Sequence, residues 1–191
     1  MTPNDIVLKV AAAIDRANIP YMIVGSFSSN VYGIERNTQD ADFVVQMQTE
    51  SLGILANELG PDFKLDPQVS FESIVSMGQF YVVRHLNPLF KIELFVSGTD
   101  SLTIEQFNRR RKSRLQGQSL YFISPEDLII TKLRWFRADK RRTKDLDDVR
   151  GVLAVQQGKL DLQYIQHWCQ QQGTLDLLEE KLRSIPPLPP V

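Results

Sequence analysis

Cysteine is nearly absent: Cys169 stands alone in 191 residues, which excludes an internal disulfide. Histidine is equally scarce, with His85 and His167 far apart, so a structural zinc site would lack ligands and any metal must be held by oxygen. No stretch approaches the roughly 20 apolar residues of a membrane span. The N-terminus lacks the pattern of a charged segment, an apolar run and a small-residue cleavage site. These absences lead us to expect a cytoplasmic protein with no membrane partner. No internal repeat is found, and the only biased segment is the tail IPPLPPV, a polyproline-like end that cannot be helical. What the chain does have is ordinary: 42% hydrophobic and 24% charged residues, enough for one well-buried core and a small helical appendage.

The formal net charge of -1 conceals an uneven distribution. Basic residues crowd into RRRKSR (109–114) and KLRWFRADKRRTK (132–144). Each run is open to two readings, solvated helix faces and loops or a surface for phosphates, nucleotide or RNA.

Periodicity organises the chain. TPNDIVLKVAAAIDRANI spaces Ile6, Val10, Ala13 and Ile14 as an amphipathic helix ending at Pro20. YMIV (21–24) is a short strand stopped by Gly25, after which SFSSNVYGI reads as a short helix. ADFVVQM (41–47) is a second strand, TESLGILANELG a helix closed by Gly60, and FKL a short edge strand. QFYVVRHL and FKIELFV, separated by Asn87 and Pro88, predict an antiparallel hairpin, and SLYFIS (119–124) another strand. From Pro125 onward the pattern predicts four helices. The expected fold is α/β, in the α+β sense: a mixed sheet flanked by helices over 1–123, a helical part over 124–185, and a Pro-rich tail over 186–191.

Chemistry concentrates in IVGSFSSNVYGIERNTQDADFVV (23–45). Gly25 and Ser26 lie where a strand turns into a helix, a geometry that aims backbone N–H groups and the positive helix end at an anion. Asp40 and Asp42, two apart at a strand, project from one face, and like charges that close repel unless a cation lies between them. Oxygen ligands of this kind suit magnesium or manganese. The competing reading makes Asp40 a turn residue and pairs Asp42 with an arginine such as Arg36. In FKIELFV, Phe90, Ile92 and Leu94 take one face and leave Glu93 on the other, a third carboxylate in an apolar strand. Its competing reading is an ion pair with Arg84 or Lys91. Arg36, Asn37 and Thr38 position a phosphate or close the loop.

The glycine-serine turn, the DxD strand and the acid on a following strand resemble the nucleotidyltransferase superfamily, the fold of polymerase beta and of antibiotic nucleotidyltransferases. That resemblance implies that Gly25 and Ser26 hold a nucleoside triphosphate such as ATP. It also implies that Asp40, Asp42 and Glu93 are catalytic residues and ligands of Mg2+ or Mn2+. Glu93 departs from the aspartate usual in that family. The segment SPEDLIITKLRWFRADKRRTKDLDDVRGVL (124–153) is similar to abortive-infection nucleotidyltransferase toxins, which implies that Lys132 contacts the nucleotide and that Asp145 or Asp148 braces the site. The implied activity is transfer of a nucleoside monophosphate to an acceptor hydroxyl on tRNA, protein or a small molecule. A toxin held by a cognate antitoxin is one setting for it. The alternative is an inactive member of the fold that binds nucleotide or a protein partner.

Overall fold

The computed structural model describes residues 1–72, 78–86 and 89–186. The Asn87–Pro88 connection and residues 187–191 of the Pro-rich tail lie outside the described residues. The chain divides into two compact units, one of residues 1–27 with 37–123, the other of residues 28–36 with the chain from Ser124 onward.

Helix α1 (Pro3–Arg16) begins at a capping box, in which the Thr2 hydroxyl accepts from the Asp5 N–H and the Asp5 carboxylate accepts from the Thr2 N–H. Ile6, Val7, Val10, Ala13 and Ile14 are fully buried along its apolar face. Strand β1 (Tyr21–Val24) follows, then α2 (Gly25–Tyr32), β2 (Asp40–Val45), α3 (Ser51–Leu59), β3 (Phe63–Glu72), β4 (Gly78–Leu86) and β5 (Leu89–Val96). Helix α4 (Ser101–Asn108) and strands β6 (Arg111–Leu115) and β7 (Gln118–Phe122) complete the first unit.

The seven strands form one mixed sheet in the order β3-β4-β5-β2-β1-β7-β6. The β2–β5 and β1–β7 ladders are parallel and the rest antiparallel. Central strands β1, β2 and β5 are buried through Ile23, Phe43, Val45, Ile92 and Leu94, each within 1% of full burial. Burying apolar area of this kind contributes about 25 cal/mol per Å², so these positions dominate the stability of the sheet.

Three elements differ from the sequence expectation. The FKL edge strand extends to Glu72, with an irregularity between Asp66 and Ser70. Helix α4 was not expected; the Asp100 side chain caps it by accepting from the Thr103 N–H. The run RRRKSR, read as solvated helix faces and loops or as a basic surface, supplies β6 from Arg111 onward. Gln116 (φ 47°) and Gly117 (φ 82°) form the two-residue return that pairs Leu115 with Gln118, and this turn sets the strand's register where hydrophobic alternation cannot.

The second unit carries the four expected helices, α5 (Pro125–Ala138), α6 (Thr143–Val155), α7 (Leu162–Gln171) and α8 (Leu175–Arg183). The Ser124 hydroxyl caps α5 by accepting from the Asp127 N–H, and Pro125 occupies the first turn, where no hydrogen bond is lost. Ile129, Leu133, Val149, Val152, Ile165, Cys169 and Leu178 are fully buried. Burial pushes the Cys169 thiol above its ordinary value, so it packs as a small apolar side chain. Among the described residues, no helix is long and apolar enough to cross a membrane.

Candidate active site

Glycine is required at 25. Its φ of +64° lies in the left-handed region, and a Cβ added there would run into Asp42 Oδ2 and stand 3.2 Å from Asp42 Cγ. The antiparallel register sets Val24 opposite Asp42, so the chain leaves β1 directly beside that carboxylate. Ser26, half-buried, is the second residue of α2, where backbone N–H groups have no partner inside the helix and the helix dipole is positive. Phe27 is buried and meets the Phe90 ring edge-on at 6.3 Å, fixing the start of the helix within the first unit.

Asp40 and Asp42 take the half-buried face of β2, while Ala41 and Phe43 between and after them point into the core. Across the parallel β2–β5 ladder Asp42 pairs with Glu93, and Asp40 pairs with Lys91. Register partners in a ladder share a face, so three carboxylates and one ammonium form a single patch. Their side chains are already engaged: the Thr38 hydroxyl donates to Asp40 Oδ1 at 3.1 Å, and Lys91 Nζ lies 2.7 Å from Glu93 Oε1. The Lys91 partner that the sequence offered for Glu93 is therefore present. Among the described residues, no group of three or more His, Cys, Asp or Glu side chains stands close enough to hold a metal ion. The donors have the hard-oxygen chemistry that magnesium requires, and the backbone aligns them, but Glu93 is turned toward Lys91.

The second unit contains a cluster of opposite character. Lys132 is only 1% exposed, and its Nζ lies 2.9 Å from Asp145 Oδ1 and 2.8 Å from Asp148 Oδ2. Arg36 forks onto Asp148 through Nε (2.7 Å) and Nη2 (2.9 Å), Ser29 donates to the same carboxylate at 3.1 Å, and Arg142 Nε meets Asp145 at 2.7 Å. Burial works to raise the Asp148 pKa, but the hydrogen bonds from Arg36 and the charge and hydrogen bond of Lys132 outweigh it and hold the carboxyl below the ordinary 3.8. The Asn30 side chain ties down the same loop, donating to the Arg36 carbonyl (2.8 Å) and accepting from the Arg36 N–H (3.0 Å).

Lys132, assigned to the nucleotide by resemblance, thus has its ammonium taken up by two carboxylates in a nearly dry interior. Arg36, read from sequence as a phosphate contact, a loop closer or a partner of Asp42, forks onto Asp148. Sequence reasoning did not find Ser29 or Arg142 in this cluster, nor join Arg36 to it. The available signal was the pair Asp145 and Asp148, which at three residues' spacing share a face of α6. His85 is buried with its ring edge-on to Phe63 at 5.0 Å, and Trp135 is a core residue at 3% exposure.

No protein-family model and no curated protein matches the sequence. Solved structures do match. The antibiotic-resistance factor ANT(2'')-Ia, in complex with adenylyl-2''-tobramycin, is similar with a TM-score of 0.61 at 15% identity, over 91% of this chain and 98% of that one. An antigenic nucleotidyltransferase-like protein from Paracoccidioides brasiliensis is similar with a TM-score of 0.55 at 16% identity, over 94% and 92%. The lincomycin-bound lincosamide antibiotic adenylyltransferase LnuA is similar with a TM-score of 0.52 at 12% identity, over 80% and 98%. With 80–94% of this chain and 92–98% of each of these chains covered, the chain has the nucleotidyltransferase fold.

Proposed function

We propose that this chain is a metal-dependent nucleotidyltransferase that moves a nucleoside monophosphate from a nucleoside triphosphate to an acceptor hydroxyl. The observation that carries the reading is the contact between the Gly25 turn and Asp42, with Glu93 as the register partner of Asp42. In this reading a backbone anion cradle and metal-type carboxylates stand side by side in the first unit. The similar structures add support, because ANT(2'')-Ia is in complex with adenylyl-2''-tobramycin and LnuA is a lincosamide antibiotic adenylyltransferase.

In this reading the backbone at Gly25 and Ser26 binds the triphosphate, and Asp40 and Asp42 hold Mg2+ or Mn2+. Glu93, released from Lys91, completes the set or takes the proton of the acceptor. A bound divalent cation would lower the pKa of the attacking hydroxyl and screen the triphosphate charge. The acceptor oxygen attacks the α-phosphorus, the bond to the β-phosphate oxygen breaks, and pyrophosphate leaves with its electron pair. Lys132 holds Asp145 and Asp148 inside the second unit and is a positioning residue in this reading. A toxin restrained by an antitoxin would be a setting for this same chemistry. One observation favours a second reading, an inactive scaffold that binds nucleotide or a protein: the Lys91–Glu93 ion pair neutralises the third acid.

A thermal-shift titration with each of the four ribonucleoside triphosphates, with magnesium, manganese or chelator, separates the two. Ligand at about 100 times its Kd stabilises by about 2.7 kcal/mol, a rise of about 5–11 °C for a chain of this size. We expect a metal-dependent rise that Asp42→Asn loses while retaining its ligand-free fold. A rise that ignores metal and survives Asp42→Asn would favour the inactive scaffold, and no rise with any triphosphate would remove the nucleotide site.

A further inference from the structure

The basic run 109–114 has no part in the site just described, yet it is the most concentrated charge in the chain. Five of its six residues, Arg109, Arg110, Arg111, Lys112 and Arg114, are basic, and no Asp or Glu occurs from Gln106 to Pro125. The other 17 Lys and Arg face 23 Asp and Glu, so the rest of the molecule is acidic and this run is its local opposite.

Its placement makes the charge available. β6 is an edge strand of the sheet, and Arg111, Lys112 and Arg114 are exposed. Among the described residues, neither Lys112 nor Arg114 is in a salt bridge, and the acid on which the Lys112 charge acts is Asp15 of α1. An aromatic ring lies within the run: half-buried Tyr121, the register partner of Lys112, has Lys112 Nζ at 5.1 Å and the Arg110 guanidinium at 5.0 Å from its ring centre. Cations spaced along an extended strand, with an aromatic face among them, are the combination that grips a single nucleic-acid strand by its phosphates and stacks a base.

Position in the sheet connects this edge to the acids. From β6 the order runs through β7 and β1 to β2, three strand spacings from the Asp40–Asp42 strand. At about 4.8 Å per spacing this is about 14 Å, the length of about four stacked nucleotides.

We propose that the β6 edge docks the phosphate backbone of a single-stranded nucleic acid, which delivers its terminal hydroxyl to the carboxylate patch as acceptor. The delivery step rests on the nucleotidyltransferase reading; the docking surface does not. Charges on an edge strand also serve to block pairing with another sheet, and any charge of either sign does that. Reversal of sign therefore distinguishes the two roles, because Lys112→Glu with Arg114→Glu keeps the edge protected and destroys an attraction for phosphate.

The test measures fluorescence anisotropy of labelled oligouridylate and oligothymidylate over a potassium chloride series, for wild type and for the Lys112→Glu/Arg114→Glu protein. Each protein is also titrated with triphosphates in the thermal-shift assay. Wild type should bind with affinity that falls steeply with salt. The double variant should bind on the order of tenfold more weakly, with the log–log salt slope reduced by about 1.4 for two lost phosphate contacts. Its triphosphate shift should be unchanged. Lys112→Gln with Arg114→Gln, which deletes charge without reversing it, should lie between the two and guards against a fold lost to acid repulsion. Equal binding by wild type and variants, no binding by wild type, or binding of polyglutamate in preference to either oligonucleotide would overturn the proposal. Oligonucleotide binding without any triphosphate shift would sink the proposed activity and leave the docking surface standing.

Discussion

Two basic runs look alike in the sequence and behave oppositely in the structure. In RRRKSR the residues from Arg111 to Arg114 lie on an edge strand with Arg111, Lys112 and Arg114 exposed, Lys112 against a tyrosine ring. KLRWFRADKRRTK is largely neutralised by neighbours: Lys132 by Asp145 and Asp148, Arg142 by Asp145, Arg141 by Asp139, and Arg137 by Asp176 of α8. The acids that neutralise the second run come from its own turn and from later helices, which packing brings within reach. A basic run therefore stays exposed where the fold does not pair its cations in salt bridges, as at Lys112 and Arg114. Composition alone does not show which case applies.

The sharpest way to break that contrast is Lys132→Ala. Removing the shared cation leaves Asp145 and Asp148 facing each other in a nearly dry interior, each with one arginine remaining. Breaking a buried pair in this way costs about 3–5 kcal/mol, and the remaining arginines place the loss near the lower end, a fall of about 6–12 °C in melting temperature. Differential scanning calorimetry of the ligand-free protein reads it directly. An unchanged melting temperature together with weakened triphosphate binding would instead return Lys132 to the nucleotide, as the family resemblance has it.

How far these features could be read beforehand differs residue by residue. The strand alternation in ADFVV and FKIELFV carries its own geometry, because a period of two puts Asp40 with Asp42 and turns Glu93 away from Ile92 and Leu94. The Gly25 turn was equally legible, since a strand ending at Val24 and a helix beginning at once leave little room for a side chain. The burial of Lys132 was not legible. Nothing within PEDLIITKLRW marks that lysine as interior, and its partners come from α6 and, through Asp148, from Arg36 far upstream. β6 escaped for a different reason: with polar residues on both faces it has no hydrophobic period, and only the Gln116–Gly117 return and its partner β7 define it. Helix α4 had its signal in Asp100 placed before an apolar-periodic octapeptide, a cap that is weak evidence on its own.

Acid titration sharpens the contrast by a smaller amount. The carboxyl of Asp148 is held below 3.8 in the folded protein. Because the folded value is depressed, its contribution to stability is complete above the unfolded value and disappears as pH falls through the folded one. Urea midpoints should therefore hold level on acidification until pH nears 3.8 and then drop. In Asp148→Asn, which starts from a lower midpoint, the drop over that interval should be shallower. Parallel curves for the two proteins would mean that the Arg36–Asp148–Lys132 cluster contributes nothing that depends on the charge of Asp148.

The smallest effect belongs to the exposed run. Truncating Lys112 or Arg114 to alanine removes no salt bridge among the described residues, and at Lys112 it takes away a charge that partly offsets the desolvation of Asp15. Each change should shift the urea midpoint by an amount equivalent to less than about 0.5 kcal/mol, the range of surface substitutions away from structural features. The cation–aromatic contact of Lys112 with Tyr121 accounts for most of what is lost at that position and makes Lys112→Ala the larger of the two. If either truncation cost as much as Lys132→Ala, the edge strand would depend on its cations for folding, and the two runs would differ in exposure but not in role. A near-neutral result leaves charge retained on an edge strand without a folding purpose, which is the condition a binding surface requires.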